Sequence, residues 1–164
     1  MPKESPTILA INPGSRYLGF AAFRGPELLD WGVRVVSAAT PRGGARVAGR
    51  ILTEAIERFR PDTLAIKRLH SSRSSTTLDR LTDSIKQLSR RRKLTLRQYS
   101  IAELKNALCS DARANKRQLA AKVTALYPVL GHYFQKEMAN RHPYYLRMFE
   151  AVALGAVCYR QAEE

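Results

Sequence analysis

Acidic residues, cysteines and long apolar runs are all scarce in this chain. Its 164 residues contain 14 Asp+Glu, 2 Cys and 1 Trp. Cys109 and Cys158 stand far apart with no CxxC pair, which excludes a disulfide framework and a cysteine-based zinc site. Two reduced thiols fit a cytoplasmic protein. No apolar run approaches the roughly 20 residues of a membrane span, and the stretch from Ala151 to Cys158 is too short. The opening MPKESPTILAI has no long apolar segment or cleavage site of a secretory leader. No repeat, low-complexity tract or linker breaks the chain, so one domain over 1–164 is expected.

What is abundant is positive charge. There are 28 Lys+Arg, a formal net charge of +14, while a hydrophobic content of 45% supplies a real core and argues against disorder. Such an excess in a small domain points to a polyphosphate partner. A highly soluble surface is the bland alternative. A membrane surface is disfavoured because no segment joins a basic face to exposed Trp or Phe.

The hydrophobic pattern changes period along the chain. TILAI (Thr7 to Ile11) is a short continuous apolar run, as in a strand buried on both faces, and Asn12-Pro13-Gly14-Ser15 stops it. Tyr17 to Phe23 and Leu28 to Val36 are strand-like, giving an antiparallel three-strand meander. From Gly44 to Arg60, Val47, Ile51, Ala55 and Phe59 recur every four residues as an amphipathic helix that Pro61 ends. TLAI (Thr63 to Ile66) is a second buried strand, Ser75 to Arg92 a second helix, and Leu94 to Tyr99 a further strand. Ser100 with Glu103 fits a capping box, and Asn115 caps another helix. After a further helical stretch, Pro143 opens a last helix, apolar nearly all round from Tyr144 to Tyr159. The expected fold is α/β, a mixed sheet of a three-strand antiparallel meander plus two parallel strands, flanked by helices.

Ligands of such sheets gather beyond the carboxyl ends of the central strands. The first strand delivers Asn12 there, and TLAIKRL delivers Lys67. The last helix carries one carboxylate in an apolar surround, Glu150 in RMFEAVALG. A buried carboxylate is costly without a metal, a cation or several hydrogen bonds.

The segment ILAINPGSRYLGFAAF resembles the opening strand, turn and second strand of RuvC-type Holliday junction resolvases, in the ribonuclease H-like superfamily. That family reads I-D-P-G-S-R-x-x-G, so Asn12 stands where its first catalytic Asp would be. LAIKRL resembles the strand ending in the catalytic Glu, with Lys67 in its place, and FEAVALG resembles the last helix, with Glu150 matching an Asp. Arg147 stands where the resemblance calls for another acidic residue, one helical turn earlier. The resemblance implies a ribonuclease H-like fold, work on branched DNA as a homodimer, and phosphodiester hydrolysis by two divalent ions held by clustered carboxylates.

The departures alter that expectation. One of four acidic positions remains acidic, one is an amide and two are cationic. An ammonium at Lys67 would repel Mg²⁺, which demands carboxylate oxygens. The expectation is a metal-free cluster with no cofactor, in which Lys67 pairs with Glu150, the Asn12 carbonyl receives Lys67, and Arg147 reaches the same carboxylate. Mg²⁺ or Mn²⁺ would be needed only by an active endonuclease with a variant site. The plainer possibility is that Asn12 caps the turn and Lys67 extends into solvent.

No other group suggests chemistry strongly. His70 and His142 could serve as a base, but a surface loop His is the commoner case, and His132 reads as packing. Ser71, Ser72, Ser74 and Ser75 read as a polar loop capping the second helix rather than a nucleophile.

Phosphate contacts are expected from Ser15 and Arg16 after the first turn, Arg68, Ser71 and Arg73 in the loop after TLAIK, and Lys116 and Arg117 at a helix start. Arg42, Arg46 and Arg50 form a stripe on the first helix. Arg90 to Lys93 suit either phosphate or the dipole of a helix C-terminus. Aromatic residues placed to stack on bases are few, so recognition should follow backbone and shape, and the RuvC-type resemblance implies DNA sooner than RNA. A non-catalytic protein-interaction module is the third class of function. The Leu78 stripe of the second helix could serve a homodimer contact or pack on the sheet.

Overall fold

The structure is a computed structural model that describes residues 4–36, 40–69, 75–140 and 144–164. Strand β1 spans Thr7–Asn12, β2 Tyr17–Arg24 and β3 Glu27–Val35. Helix α1 (Pro41–Phe59) leads to β4 (Thr63–Lys67), α2 (Thr76–Arg91) and β5 (Thr95–Tyr99). Helices α3 (Ile101–Cys109) and α4 (Lys116–Leu126), a 3-10 turn (Pro128–Leu130), α5 (Gly131–Ala139) and α6 (Leu146–Glu163) complete the chain.

The five strands run in the order β3-β2-β1-β4-β5. β1 pairs antiparallel with β2 and β2 with β3, whereas β1–β4 and β4–β5 are parallel. This is the mixed, helix-flanked sheet that the alternating pattern implies, in the arrangement expected from the ribonuclease H-like resemblance.

Side chains alternate across a strand, and the alternation divides the core into two layers. Ile8, Ala10 and Ala65 face α6, α4 and α3, in a layer with Phe149, Val152 and Leu119. Leu9, Ile11, Leu64 and Ile66 face α1 and α2, packing with Leu52, Leu81 and Ile85. Leu78 and Leu88 pack against this second layer, so the stripe of α2 is turned to the sheet and α1.

Local signals act at the helix ends. Thr40 Oγ1 accepts from Gly43 N–H to cap α1, which begins three residues before the periodic stripe because Pro41 sits at its first position. Ser100 with Glu103 and Asn115 with Gln118 each form a capping box. The last helix differs from expectation: α6 begins at Leu146 with no side-chain cap, and runs on through Glu163. Pro143 lies outside the described residues. Among the described residues no helix is long and apolar enough to cross a membrane.

Two glycines let α6 lie close on the sheet. A Cβ at Gly19 of β2 would collide with the Arg147 carbonyl, and one at Gly155 of α6 with the Phe23 ring. The first of these approaches sets the depth of α6 beside the end of β1.

Candidate functional site

The register of β1 and β4 places Ile11 opposite Ile66, so Asn12 and Lys67 end adjacent strands at the same sheet edge. Alternation then decides their face. Ala10 and Ala65 belong to the α6 layer, and Asn12 and Lys67, two residues further on, turn the same way.

Both meet Glu150. Lys67 Nζ lies 2.9 Å from Glu150 Oε2, and Asn12 Nδ2 donates to the same oxygen at 2.6 Å. Asn12 Nδ2 also donates to the Arg147 carbonyl at 3.2 Å. Both neighbours of that nitrogen are acceptors, which fixes the amide's orientation. Lys116, at the start of α4, brings a second ammonium to 3.7 Å from Glu150 Oε1. The acid and Lys67 are deeply placed, with 4% and 16% of their side chains exposed, whereas Lys116 is 47% exposed. The plainer possibility, with Lys67 extended into solvent, is therefore excluded.

Electrostatics follow from this packing. Burial pushes the Glu150 carboxyl up, but the charges of Lys67 and Lys116 and the hydrogen bonds from Lys67 and Asn12 outweigh it and hold the group below its ordinary value. At Lys67 burial dominates and pulls the ammonium below the ordinary lysine value. The Glu150 charge and hydrogen bond oppose that pull, and Lys116 and Arg147 add to it.

Three expectations need correction. Arg147 does not reach Glu150: its guanidinium packs at Gly14 and Nη1 approaches the Pro13 carbonyl at 3.5 Å. The β1–β2 turn lies against the first turn of α6 and draws the side chain that way. The Asn12 carbonyl does not receive Lys67, because its amide nitrogen has taken the carboxylate. Asn12 Oδ1, like Glu150 Oε1, has no hydrogen-bond partner among the described residues. His132 is exposed, with an edge contact to Tyr133, rather than packing in the core.

The expected phosphate contacts divide. Ser15, Arg16, Lys116 and Arg117 are exposed, and Lys116 lines the same cleft as Lys67, Arg147 and Glu150, about 400 Å³ in volume. Arg68 is exposed as well, and lies beside Glu103 at 3.4 Å and the Gln98 carbonyl at 3.4 Å. Ser71 and Arg73, with His70, Ser72, Ser74 and His142, lie outside the described residues. The pairing of Lys116 with Glu150 had no signal in sequence, since it arises from packing of α4 on α6.

A family model for the crossover junction endodeoxyribonuclease RuvC matches residues 8–139. The chain belongs to the RuvC family. Among solved structures, Thermus thermophilus RuvC matches with a TM-score of 0.74 at 16% identity, covering 96% of each chain. The same protein in complex with a Holliday junction substrate matches with a TM-score of 0.75 at 16% identity, over 96% of each chain. The yeast mitochondrial Holliday junction resolvase Ydc2 gives 0.70 at 14% identity, covering 99% of this chain and 82% of that one. Among curated proteins, no sequence matches.

The RuvC resemblance implies divalent ions at this sheet edge, and the donor set here does not fit them. Such ions need several oxygen ligands carrying negative charge. Glu150 is the one carboxylate of the cluster, and its Oε2 is occupied by two N–H donors. Lys67, Lys116 and Arg147 surround it with positive charge. Among the described residues no group of three or more His, Cys, Asp or Glu could hold a metal.

Proposed function

We propose that this RuvC-family chain binds nucleic acid, DNA in particular, through a site in which ammonium and amide groups have taken over from metal-binding carboxylates. One observation carries the reading: Lys67 and Asn12 converge on a single oxygen of buried Glu150, at 2.9 and 2.6 Å. A centre built that way holds its shape without a divalent ion.

Its chemistry favours binding over hydrolysis. The cleft around Glu150 contains three cations to one carboxylate, an excess that attracts a phosphate. Lys116 is the exposed member and the natural phosphate contact, with Ser15 and Arg16 on the adjoining turn. Hydrolysis would further require an activated water and a stabilised leaving oxygen. Asn12 cannot act as a base, and the Lys67 ammonium is engaged with Glu150. The solved RuvC complex with a Holliday junction substrate makes branched DNA the first ligand to try.

The test is incubation of the purified protein with four-way junction and duplex DNA, with and without Mn²⁺. Salt-dependent binding with no cleavage in either condition is expected. Cleavage that disappears in Glu150→Gln would return the chain to the active endonucleases. Absence of binding at physiological salt would leave an interaction module.

A further inference from the structure

A second basic surface lies on the opposite layer of the molecule. Arg42 and Arg46 of α1 and Arg80, Arg91 and Arg92 at α2 line one groove of about 620 Å³. Among the described residues Arg92 alone of these five has an ion-pair partner, Glu57 at 3.4 Å. Asp83 is the one acidic residue in the lining. All five arginines are exposed. Mutual repulsion makes such a gathering unfavourable unless an anion fills it.

The apolar stripe of α1 explains how the gathering arises. Ala48, Leu52 and Ile56 are buried against the sheet, so Arg42 and Arg46 must lie on the opposite side of that helix. On α2, Leu81 and Ile85 are buried likewise. The C-terminal run of α2 is therefore more than a complement to the helix dipole, since Arg91 and Arg92 join arginines from another helix.

We propose that this groove is a second nucleic-acid site, which receives the phosphate backbone of a segment other than the one at the Glu150 cleft. The groove lies on the α1–α2 side of the sheet, whereas Glu150 lies on the α6 side. Arg80 and Arg91 are eleven positions apart on α2, about 16 Å along the axis at 1.5 Å per residue. That length matches about five phosphates of one strand at 3.4 Å each, an extended polyanion rather than a single phosphate. Guanidinium groups suit phosphate by their paired donors, and Ser84 and Gln87 add neutral donors in the same lining. An acidic peptide would need an apolar anchor pocket, and no aromatic residue lines the groove.

The test is fluorescence anisotropy of a short labelled DNA duplex over a salt series. Arg46→Ala with Arg80→Ala should lower the slope of log affinity against log salt by about 1.8, at 0.9 for each phosphate no longer neutralised. Arg24→Ala with Arg160→Ala removes equal charge from exposed positions elsewhere and should leave the slope unchanged. Arg46→Lys with Arg80→Lys should retain it. An unchanged slope in the groove variant overturns the proposal, as does an equal fall in the control pair. A change in oligomeric state without a change in slope also overturns it, assigning the groove to protein contact. Lys116→Ala probes the Glu150 cleft separately, so a failure there is distinguishable from a failure here.

Discussion

The basic residues of the chain fall into two regions built on different principles. Around Glu150, Lys67 and Lys116 are tied to a carboxylate that is almost fully buried. Between α1 and α2, Arg42, Arg46, Arg80 and Arg91 crowd together with no ion-pair partner among the described residues. The first region ties its cations to a buried acid while leaving Lys116 half open to the cleft; the second gathers the arginines that the proposed groove site would use. A net charge of +14 therefore reports two roles, and only local pairing separates them.

The sharpest way to break the comparison is to remove one partner from each region. Lys67→Ala strips the closest cation from a buried carboxylate and should cost about 3–5 kcal/mol in urea unfolding. Lys67→Met with Glu150→Leu removes both charges and should recover most of that loss, since well-packed apolar pairs often equal buried ion pairs. The groove variant Arg46→Ala with Arg80→Ala should cost less than about 0.5 kcal/mol, or gain stability through relieved repulsion.

Next comes the helix that sets the depth of the site. Gly19→Ala would push its methyl against the Arg147 carbonyl, which the Asn12 amide also contacts. A loss of about 1–3 kcal/mol is expected from overpacking, with weakened DNA binding measured alongside.

Acid titration separates the regions without large structural change. Because the folded chain holds Glu150 below the ordinary carboxylate value, the stability it contributes is full above that ordinary value. It is lost as pH falls through the lowered folded value. Acid unfolding of the wild-type chain should therefore be steeper than that of Glu150→Gln. Lys67 has the complementary sign. Its folded value is lowered, so the unfolded chain binds more protons between that value and the ordinary lysine range, and stability rises with pH there. Lys67→Met should abolish that rise.

Among the single substitutions the smallest effect belongs to the exposed pair Arg68–Glu103, whose side chains are 56% and 48% exposed. Arg68→Ala should change stability by less than about 1 kcal/mol. A larger effect would show that the loop after β4 contributes to the site's framework.

Much of this arrangement was legible in the residues alone. Short continuous apolar runs located the central strands, four-residue spacing located the first helix, and Ser100–Glu103 announced its capping box. Strand order brought Asn12 and Lys67 to one sheet edge, and the RuvC-type resemblance put Glu150 with them. The direction of Arg147 was not. A spacing of three residues puts Arg147 and Glu150 on neighbouring positions of a helix face, but the turn at Gly14 decides where the guanidinium goes. Lys116 was visible as a surface cation, not as a partner of Glu150, because its contact depends on how two helices far apart in sequence pack. The arginine groove was half visible: the α1 stripe could be read from spacing, whereas its junction with α2 required the sheet beneath both.

A Mn²⁺ titration, followed calorimetrically and by thermal unfolding, addresses the charge-inverted centre most directly. The wild-type chain should show no binding that depends on Glu150. Asn12→Asp with Lys67→Glu, which returns carboxylates to both strand ends, should acquire Mn²⁺ binding and a Mn²⁺-dependent rise in Tm. Tight Mn²⁺ binding by the wild-type chain, lost in Glu150→Gln, would contradict the metal-free centre.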